Sequence, residues 1–344
     1  MKSFLRVVIF VCVILLFAVT LCAASSPINV VHVALGNYGD HWVQLVSGGK
    51  SMASQLGIEL TVLDAQMSAA KQVQMLENAI SMKPDAIFID HGEGASMKPA
   101  IQKAMGLGIP VILFDVITDV EVTSEISQDD YMLGYKSLSK LAMDLNGTGN
   151  FVIVTLSGVA PLERRMRILD LVLKRFPGLK VVQQTAPSFG SAVISDTMSR
   201  MEAILKAPGK IDAVWAPYDQ LSIGSMKAIE EAGKDIPVYG VDVSSYDLTL
   251  MAKPGSVWKA TAACDPSEIG KVAMRIAYLA ATGKKELIPR QVIIPAALIT
   301  RETARSLNLE AGEYVTKELV PSWGDSGVAW TPEMRKLVQE SVNK

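Results

Sequence analysis

The chain has 344 residues, of which 49% are apolar and 20% charged, and its 33 basic and 35 acidic residues give a formal net charge of −2. That balance excludes the basic surface a nucleic-acid partner would need, and the length is enough for two domains of roughly 150 residues each. Cys12 and Cys22 fall in the N-terminal apolar stretch, which leaves Cys264 alone in the folded part and excludes an internal disulfide there.

Lys2 and Arg6 precede an unbroken apolar run from Val7 to Val19, and small residues follow at Ala23, Ala24, Ser25 and Ser26. A positive start, a short apolar stretch and a small-residue exit read as a secretory signal peptide over residues 1–24, cleaved after Ala24. The competing reading is an uncleaved membrane anchor, because the run extended to Ala24 approaches spanning length. Pro27 and the soluble pattern behind it favour cleavage. A lipid-modified Cys22 is disfavoured by Leu21, which stands where a small residue is wanted.

From residue 28 onward, short β-branched runs alternate with longer amphipathic stretches. Strands are predicted at Ile28–Leu35, Ile58–Leu63, Ala86–Asp90, Val111–Asp115, Phe151–Leu156, Lys180–Gln184, Ala213–Ala216 and Val238–Val241. Near-continuous apolar runs of this length suit strands buried on both faces of a parallel sheet. Helices are predicted over 41–56, 68–82, 95–107, 160–175, 192–206 and 220–232; in the second, Val73, Leu76 and Ile80 keep helical spacing. Gly57, Gly108 and Gly233 read as helix stops. Two such strand–helix sets, about 28–126 and 150–262, flank the turn-rich Asn146-Gly147-Thr148-Gly149. A late strand (Ser256–Ala262), a helix (267–282) and a final strand (Gln291–Ile294) follow. The fold class expected is α/β, with two similar doubly wound parallel-sheet lobes.

Signatures of chemistry fail on inspection. Gly49-Lys50-Ser51 lacks the leading glycine of a phosphate loop, since Gln44 stands there. Gly92-Glu93-Gly94 has Met97 where a dinucleotide fingerprint needs glycine. His32, His41 and His91 have no helical ligand spacing, and His32, inside an apolar strand, reads as a core residue. No nucleophile elbow is present. No catalysis, metal or cofactor is expected.

Ligands of open parallel sheets bind beyond the carboxyl ends of the strands. Just past those ends stand Asn37 to Trp42, Asp90 and His91, Asp115, Arg165, Tyr218 with Asp219, and Asp242. Carboxylates and a guanidinium suit a polyhydroxy ligand, because each carboxylate accepts two hydroxyl bonds and Arg offers a fixed fork of donors. A single strand-end Asp is more often a cap or a turn former. Several at equivalent strand ends point to a site.

Three segments then resemble the periplasmic sugar-binding proteins of the ribose-binding type: Asp40-His41-Trp42-Val43, Gly57-Ile58-Glu59-Leu60 leading to Asp64, and Ile109-Pro110-Val111-Ile112-Leu113-Phe114-Asp115. So do Asp212-Ala213-Val214-Trp215-Ala216 with Asp219, Pro237-Val238-Tyr239-Gly240-Val241-Asp242, and Ala260-Thr261 with Asp265-Pro266 and Ile269-Gly270. The resemblance spans about residues 28–300. It implies that His41 and Trp42 sandwich a sugar beside Asp40. It also implies that Asp115, Arg165 and Asp242 bind hydroxyls, and that Phe189 covers a ring face. Three positions depart from the family pattern: Val116 replaces an arginine, Tyr218 an asparagine and Cys264 a glutamine. Those changes disfavour ribose itself and suggest a less hydroxylated ligand held near Tyr218 and Cys264.

The resemblance further implies a type I periplasmic binding protein whose lobes are joined by three chain crossings, near 126–129, 262–265 and 291–296. One lobe would comprise 28–127 plus 265–293, and the other 128–264 plus 294–344 with a C-terminal extension and a terminal helix at Met334–Val342. Such a monomer would capture a sugar-like solute in the periplasm and deliver it to an ABC transporter permease. The alternatives are a periplasmic receptor feeding a chemoreceptor or sensor kinase, the ligand-binding core of a lactose-repressor-like regulator, and an exported enzyme. The signal sequence and the missing helix-turn-helix oppose the regulator.

Overall fold

The apolar runs assemble into two six-stranded sheets in this computed structural model, which describes residues 27–37, 39–188, 190, 192–307, 323 and 325–342. The predicted signal peptide and Phe189 lie outside the described residues. The first sheet holds β1 (Ile28–Ala34), β2 (Ile58–Asp64), β3 (Ala86–Asp90), β4 (Val111–Phe114), β5 (Ser124–Gln128) and β11 (Gln291–Ile294). It is parallel throughout, in the order β11-β5-β4-β3-β1-β2. The second holds β6 (Thr148–Val154), β7 (Gly178–Thr185), β8 (Ala213–Ala216), β9 (Val238–Val241), β10 (Trp258–Ala263) and β12 (Ala297–Thr300). Its order is β12-β10-β9-β8-β6-β7, with β12 antiparallel to β10 and the rest parallel. Every residue of β3, β4, β8 and β9 is buried, as strands covered by helices on both faces must be.

Helices fill the crossovers: α1 (Asp40–Leu56), α2 (Ala69–Ser81), α3 (Gly94–Gly106), α4 (Asp130–Asp144), α5 (Ala160–Met166), α6 (Leu169–Arg175), α7 (Val193–Lys206), α8 (Asp219–Glu231), α9 (Ser245–Ala252) and α10 (Pro266–Ala281), then α11 (Arg301–Ser306) and α12 (Pro332–Val342). The single helix expected over 160–175 breaks at Arg167-Ile168 into α5 and α6. In the first lobe α1 and α10 pack backbone to backbone: a Cβ on Gly48 would stand 2.0 Å from Ser267 O, and one on Gly270 2.1 Å from Leu45 O. Apolar residues sheathe both faces of each sheet.

The chain passes between the sheets after β5, after β10 and between β11 and β12. The crossings are tied at one atom, since Ile294 O accepts from Asp129 N at 3.2 Å and from Cys264 Sγ at 3.2 Å. The tail then differs from expectation. Residue 323 sits in the second-lobe core, where Trp323 donates from Nε1 to Ala263 O at 3.1 Å. The segment after it lies on the first lobe instead of the second. Its reason is a buried ion pair on α10, Arg275 Nη2 to Glu268 Oε1 at 2.5 Å, which attracts the tail's polar groups. Ser326 N donates to Glu268 Oε1 at 2.9 Å, and Arg275 Nε donates to Val328 O at 2.9 Å. The Trp330 ring has Arg275 and Arg335 guanidinium carbons each 4.7 Å from its centroid, and Met334 is fully buried in the first-lobe core.

Candidate ligand-binding site

The carboxyl ends of the two sheets face one another across the cleft, and their last residues carry backbone strain. His91, Asp115 and Asp242, which follow β3, β4 and β9, have φ of 50°, 52° and 69°. Left-handed backbone is uncommon for non-glycine residues and is held only where surroundings demand it. Of the three side chains, Asp115 reaches the opposing lobe, at Arg164, while His91 and Asp242 pair with groups of their own lobes.

Five charged groups form a continuous chain. Arg165, at 1% exposure, grips Asp242 with two N–H donors, Nη1 to Oδ2 at 2.6 Å and Nη2 to Oδ1 at 3.0 Å. Its Nε donates to Asp130 Oδ1 at 2.9 Å, and Nη1 also reaches Pro217 O at 2.9 Å. Arg164 takes the other oxygen of Asp130, Nε to Oδ2 at 2.8 Å, and donates from Nη2 to Asp115 Oδ1 at 2.7 Å. Burial opposes charge on Arg165, but Asp242 and Asp130 more than compensate and hold it protonated. The structure therefore brings together the expected Asp115, Arg165 and Asp242, through two residues the sequence reading left out, Arg164 and Asp130.

One wall of the cleft is built from rings. His41 packs edge-on to Trp42 at 5.5 Å and to His91 at 5.2 Å, while Phe114 lies 6.2 Å from His41 and 5.0 Å from His91, centroid to centroid. Burial, with His91 adding to it, lowers His41 to about 3, so its imidazole is neutral at pH 7. His41 Nε2 is buried without a hydrogen-bond partner. Behind the rings, Asp90 holds both His32 Nε2 (2.5 Å) and His91 Nδ1 (3.0 Å). Burial alone would raise Asp90; the two imidazole hydrogen bonds overcome it and hold the carboxyl below the usual range. His32 is thus a buried ring-orienting residue, in keeping with its reading as core.

The remaining expected residues are spread around this centre. Asp40 Oδ2 accepts from Ser245 N at 2.7 Å, joining the first turn of α1 to that of α9 across the lobes. Tyr218 is the half-buried N-cap of α8, its hydroxyl pushed up by burial and then by Asp219 and Asp242. Asp219 and Asp247 are both raised, chiefly by burial and by the neighbouring carboxylates, Asp247 to about 7. Cys264 does not offer its thiol to the cleft: the group donates to Ile294 O within the hinge, and burial pushes it up to about 12. A cavity of about 310 Å³ opens beside the ion pairs on the β5 and β11 side, lined by Asp115, Asp130, Tyr131, Arg164, Gln128 and Gln291. The rings contribute nothing to its walls.

Residues 31–285 match the family model of the periplasmic binding protein domain. The chain belongs to that family. Among the relatives of this periplasmic binding protein is the ribose import binding protein of Bacillus subtilis, 27% identical over 265 residues, which cover 76% of this chain and 83% of that one. A solved structure of the 5-methylthioribose transporter solute binding protein from Thermotoga lettingae, in complex with 5-methylthioribose, is 32% identical with a TM-score of 0.78, covering 91% of this chain and 99% of that one. An ABC transporter solute binding protein from Agrobacterium vitis with bound allitol is 30% identical at a TM-score of 0.70, covering 81% and 97%. The type I periplasmic binding protein architecture expected from the sequence is the one observed.

Proposed function

We propose that this periplasmic binding protein captures a small sugar or sugar-like solute between its lobes and presents the closed form to the permease of an ABC importer. The observation that carries the reading is that Asp115, Arg164, Arg165 and Asp242 are linked by hydrogen bonds at the strand ends that also carry the His41–Trp42–His91 ring cluster. Carboxylates and guanidinia bind hydroxyls, and the rings cover the apolar C–H face and exclude water. A ligand that touches both lobes favours closure by its differential contacts alone, so capture requires no chemistry. The protein is then a binding protein rather than an enzyme.

The ligand proposed carries fewer hydroxyls than ribose and an apolar substituent. Arg165 already occupies both oxygens of Asp242, and Arg164 occupies one of Asp115. Val116 and Tyr218 supply an apolar or bulky lining where the resembled family has donors. A relative whose bound solute is 5-methylthioribose, a sugar with a thioether arm, supports that class. Export through the N-terminal signal and action as a periplasmic monomer complete the reading; among the described residues no helix is long and apolar enough to cross a membrane.

A thermal-shift panel of ribose, 5-methylthioribose, other pentoses, allitol and myo-inositol tests it, because a ligand that binds only the native state raises Tm by linkage. A micromolar Kd, about −8 kcal/mol, is expected for the thioether sugar by calorimetry. No Tm increase with any sugar or polyol at millimolar concentration would overturn the proposal.

A further inference from the structure

We infer that Arg164 is the electrostatic latch of lobe closure, a positioning residue that fixes how much closed form exists before any solute arrives. The inference rests on the hinge-closing reading above. Among the described residues, Arg164–Asp115 is the ion pair that joins the body of one lobe to the other. Arg164 stands on α5, beside the second sheet, and Asp115 follows β4 of the first. The remaining pairs of the chain, Arg164–Asp130, Arg165–Asp130 and Arg165–Asp242, join groups packed on the second sheet. Opening the cleft therefore breaks one link of the chain and leaves the rest intact.

The geometry is that of a latch with a fixed catch and a prepared bolt. Asp130 holds Arg164 at Nε with 2.8 Å, so the guanidinium is already oriented when Asp115 arrives. Asp115 sits on a left-handed backbone at φ 52°, which sets the direction in which its Cβ leaves the chain. The two side chains are 23% and 7% exposed in the closed form, so the bond is made largely out of water, whereas both groups face solvent once the lobes part. Asp40 Oδ2 with Ser245 N adds a neutral-donor contact between the lobes. Because the latch stabilises the closed form with or without ligand, its loss shifts the closure equilibrium of the ligand-free protein, where ligand contacts play no part.

The test is made on the ligand-free mature chain, without residues 1–24 and so without Cys12 and Cys22, so that the absence of a known solute cannot decide it. Lys71→Cys and Ser188→Cys, exposed positions past the strands farthest from the hinge, accept a dye pair for single-molecule energy transfer; buried Cys264 stays unlabelled. Arg164→Gln and Asp115→Asn are each expected to lower the closed-to-open ratio at least ~tenfold. Their double variant should lose no more than either alone, the signature of one shared interaction. Arg164→Lys restores part of the closed fraction, since an ammonium can pair with Asp115 but cannot fork between two carboxylates. Raising NaCl from ~20 to ~500 mM should lower the wild-type ratio and leave Asp115→Asn unmoved. Melting curves for each variant verify folding. Unchanged transfer distributions in both single variants, additive effects in the double, or no rescue by lysine would overturn the latch. Sugar binding in calorimetry would be left standing by any of these results.

Discussion

Arg165 and Asp242 meet through two N–H···O bonds, at 2.6 and 3.0 Å, with the guanidinium almost wholly withdrawn from solvent. A pair of this kind contributes more by what its loss exposes than by its own net energy: an unpaired buried Arg costs about 3–5 kcal/mol. Asp242→Ala should therefore weaken solute binding at least tenfold and lower stability by about 2–4 kcal/mol, the lower figure applying because Asp130 still neutralises Arg165. Asp242→Asn should recover stability more than affinity. Calorimetry and denaturant melts on the two variants separate these outcomes.

Asp247 gives the protein an acid-side stability increment. Its carboxyl caps α9, Oδ2 accepting from Ser244 N at 2.6 Å, while burial raises it to about 7. A raised carboxyl binds its proton more tightly when folded, so stability falls as pH climbs from about 4 through about 7. The difference in unfolding free energy between wild type and Asp247→Asn should shift by about 1–4 kcal/mol in favour of wild type from pH 8 to pH 5. His41 acts in the opposite direction below pH 6.5, because its lowered value penalises the folded state there, but it cancels in the comparison. Urea melts at the two pH values check it; a flat difference would refute the assignment.

Gly270→Ala should destabilise the first lobe and Gly49→Ala should not. The added Cβ of the first meets Leu45 O at 2.1 Å and Gly49 N at 2.6 Å, backbone atoms that cannot rotate away. The second finds its nearest atoms at 3.8 Å and gains the helix propensity of alanine. A loss of about 1–3 kcal/mol for Gly270→Ala, read as a fall in Tm of several degrees, is expected against an unchanged or slightly raised value for Gly49→Ala.

Native Cys264 should resist thiol reagents. Buried in the hinge and pushed up to about 12, it presents about a thousandth of the thiolate of an exposed cysteine at pH 8. Labelling with an aromatic disulfide should be slow in the native protein and fast in urea. Rapid native labelling would show that the crossings open far more often than the shared Ile294 carbonyl suggests.

The core strands were legible because β4, β8 and β9 are apolar from end to end and β3 up to its final Asp90, and burial on both faces leaves no other pattern. β5 was not: Ser124-Glu125-Ile126-Ser127-Gln128 is mostly polar and takes its place through pairing with β4 and β11. β12, with four residues, and α4, which buries Gly134, Ser137 and Ser139 beside its leucines, carry too weak an apolar period to be read alone. At the site, charges at strand ends were visible, but their pairing was not. Arg164 and Arg165 are neighbours in sequence, and only the placement of Asp130 at the start of α4 reveals that both are used. His91 followed a predicted strand and drew attention as such; its packing against His41 and Trp42 required the folded lobe.

The course of the C-terminal segment has a practical corollary. Trp323 is anchored beside the end of β10, whereas Arg275, Glu268 and Tyr278 clasp the chain from Ser326 to Glu333 on the far partner. The polypeptide thus straddles the joint a fourth time, like a cord looped outside a door already hung on three pins. Tags, fusions or clipping at this terminus pull on that cord, and engineered sensors built on the protein would do better to carry their reporters elsewhere.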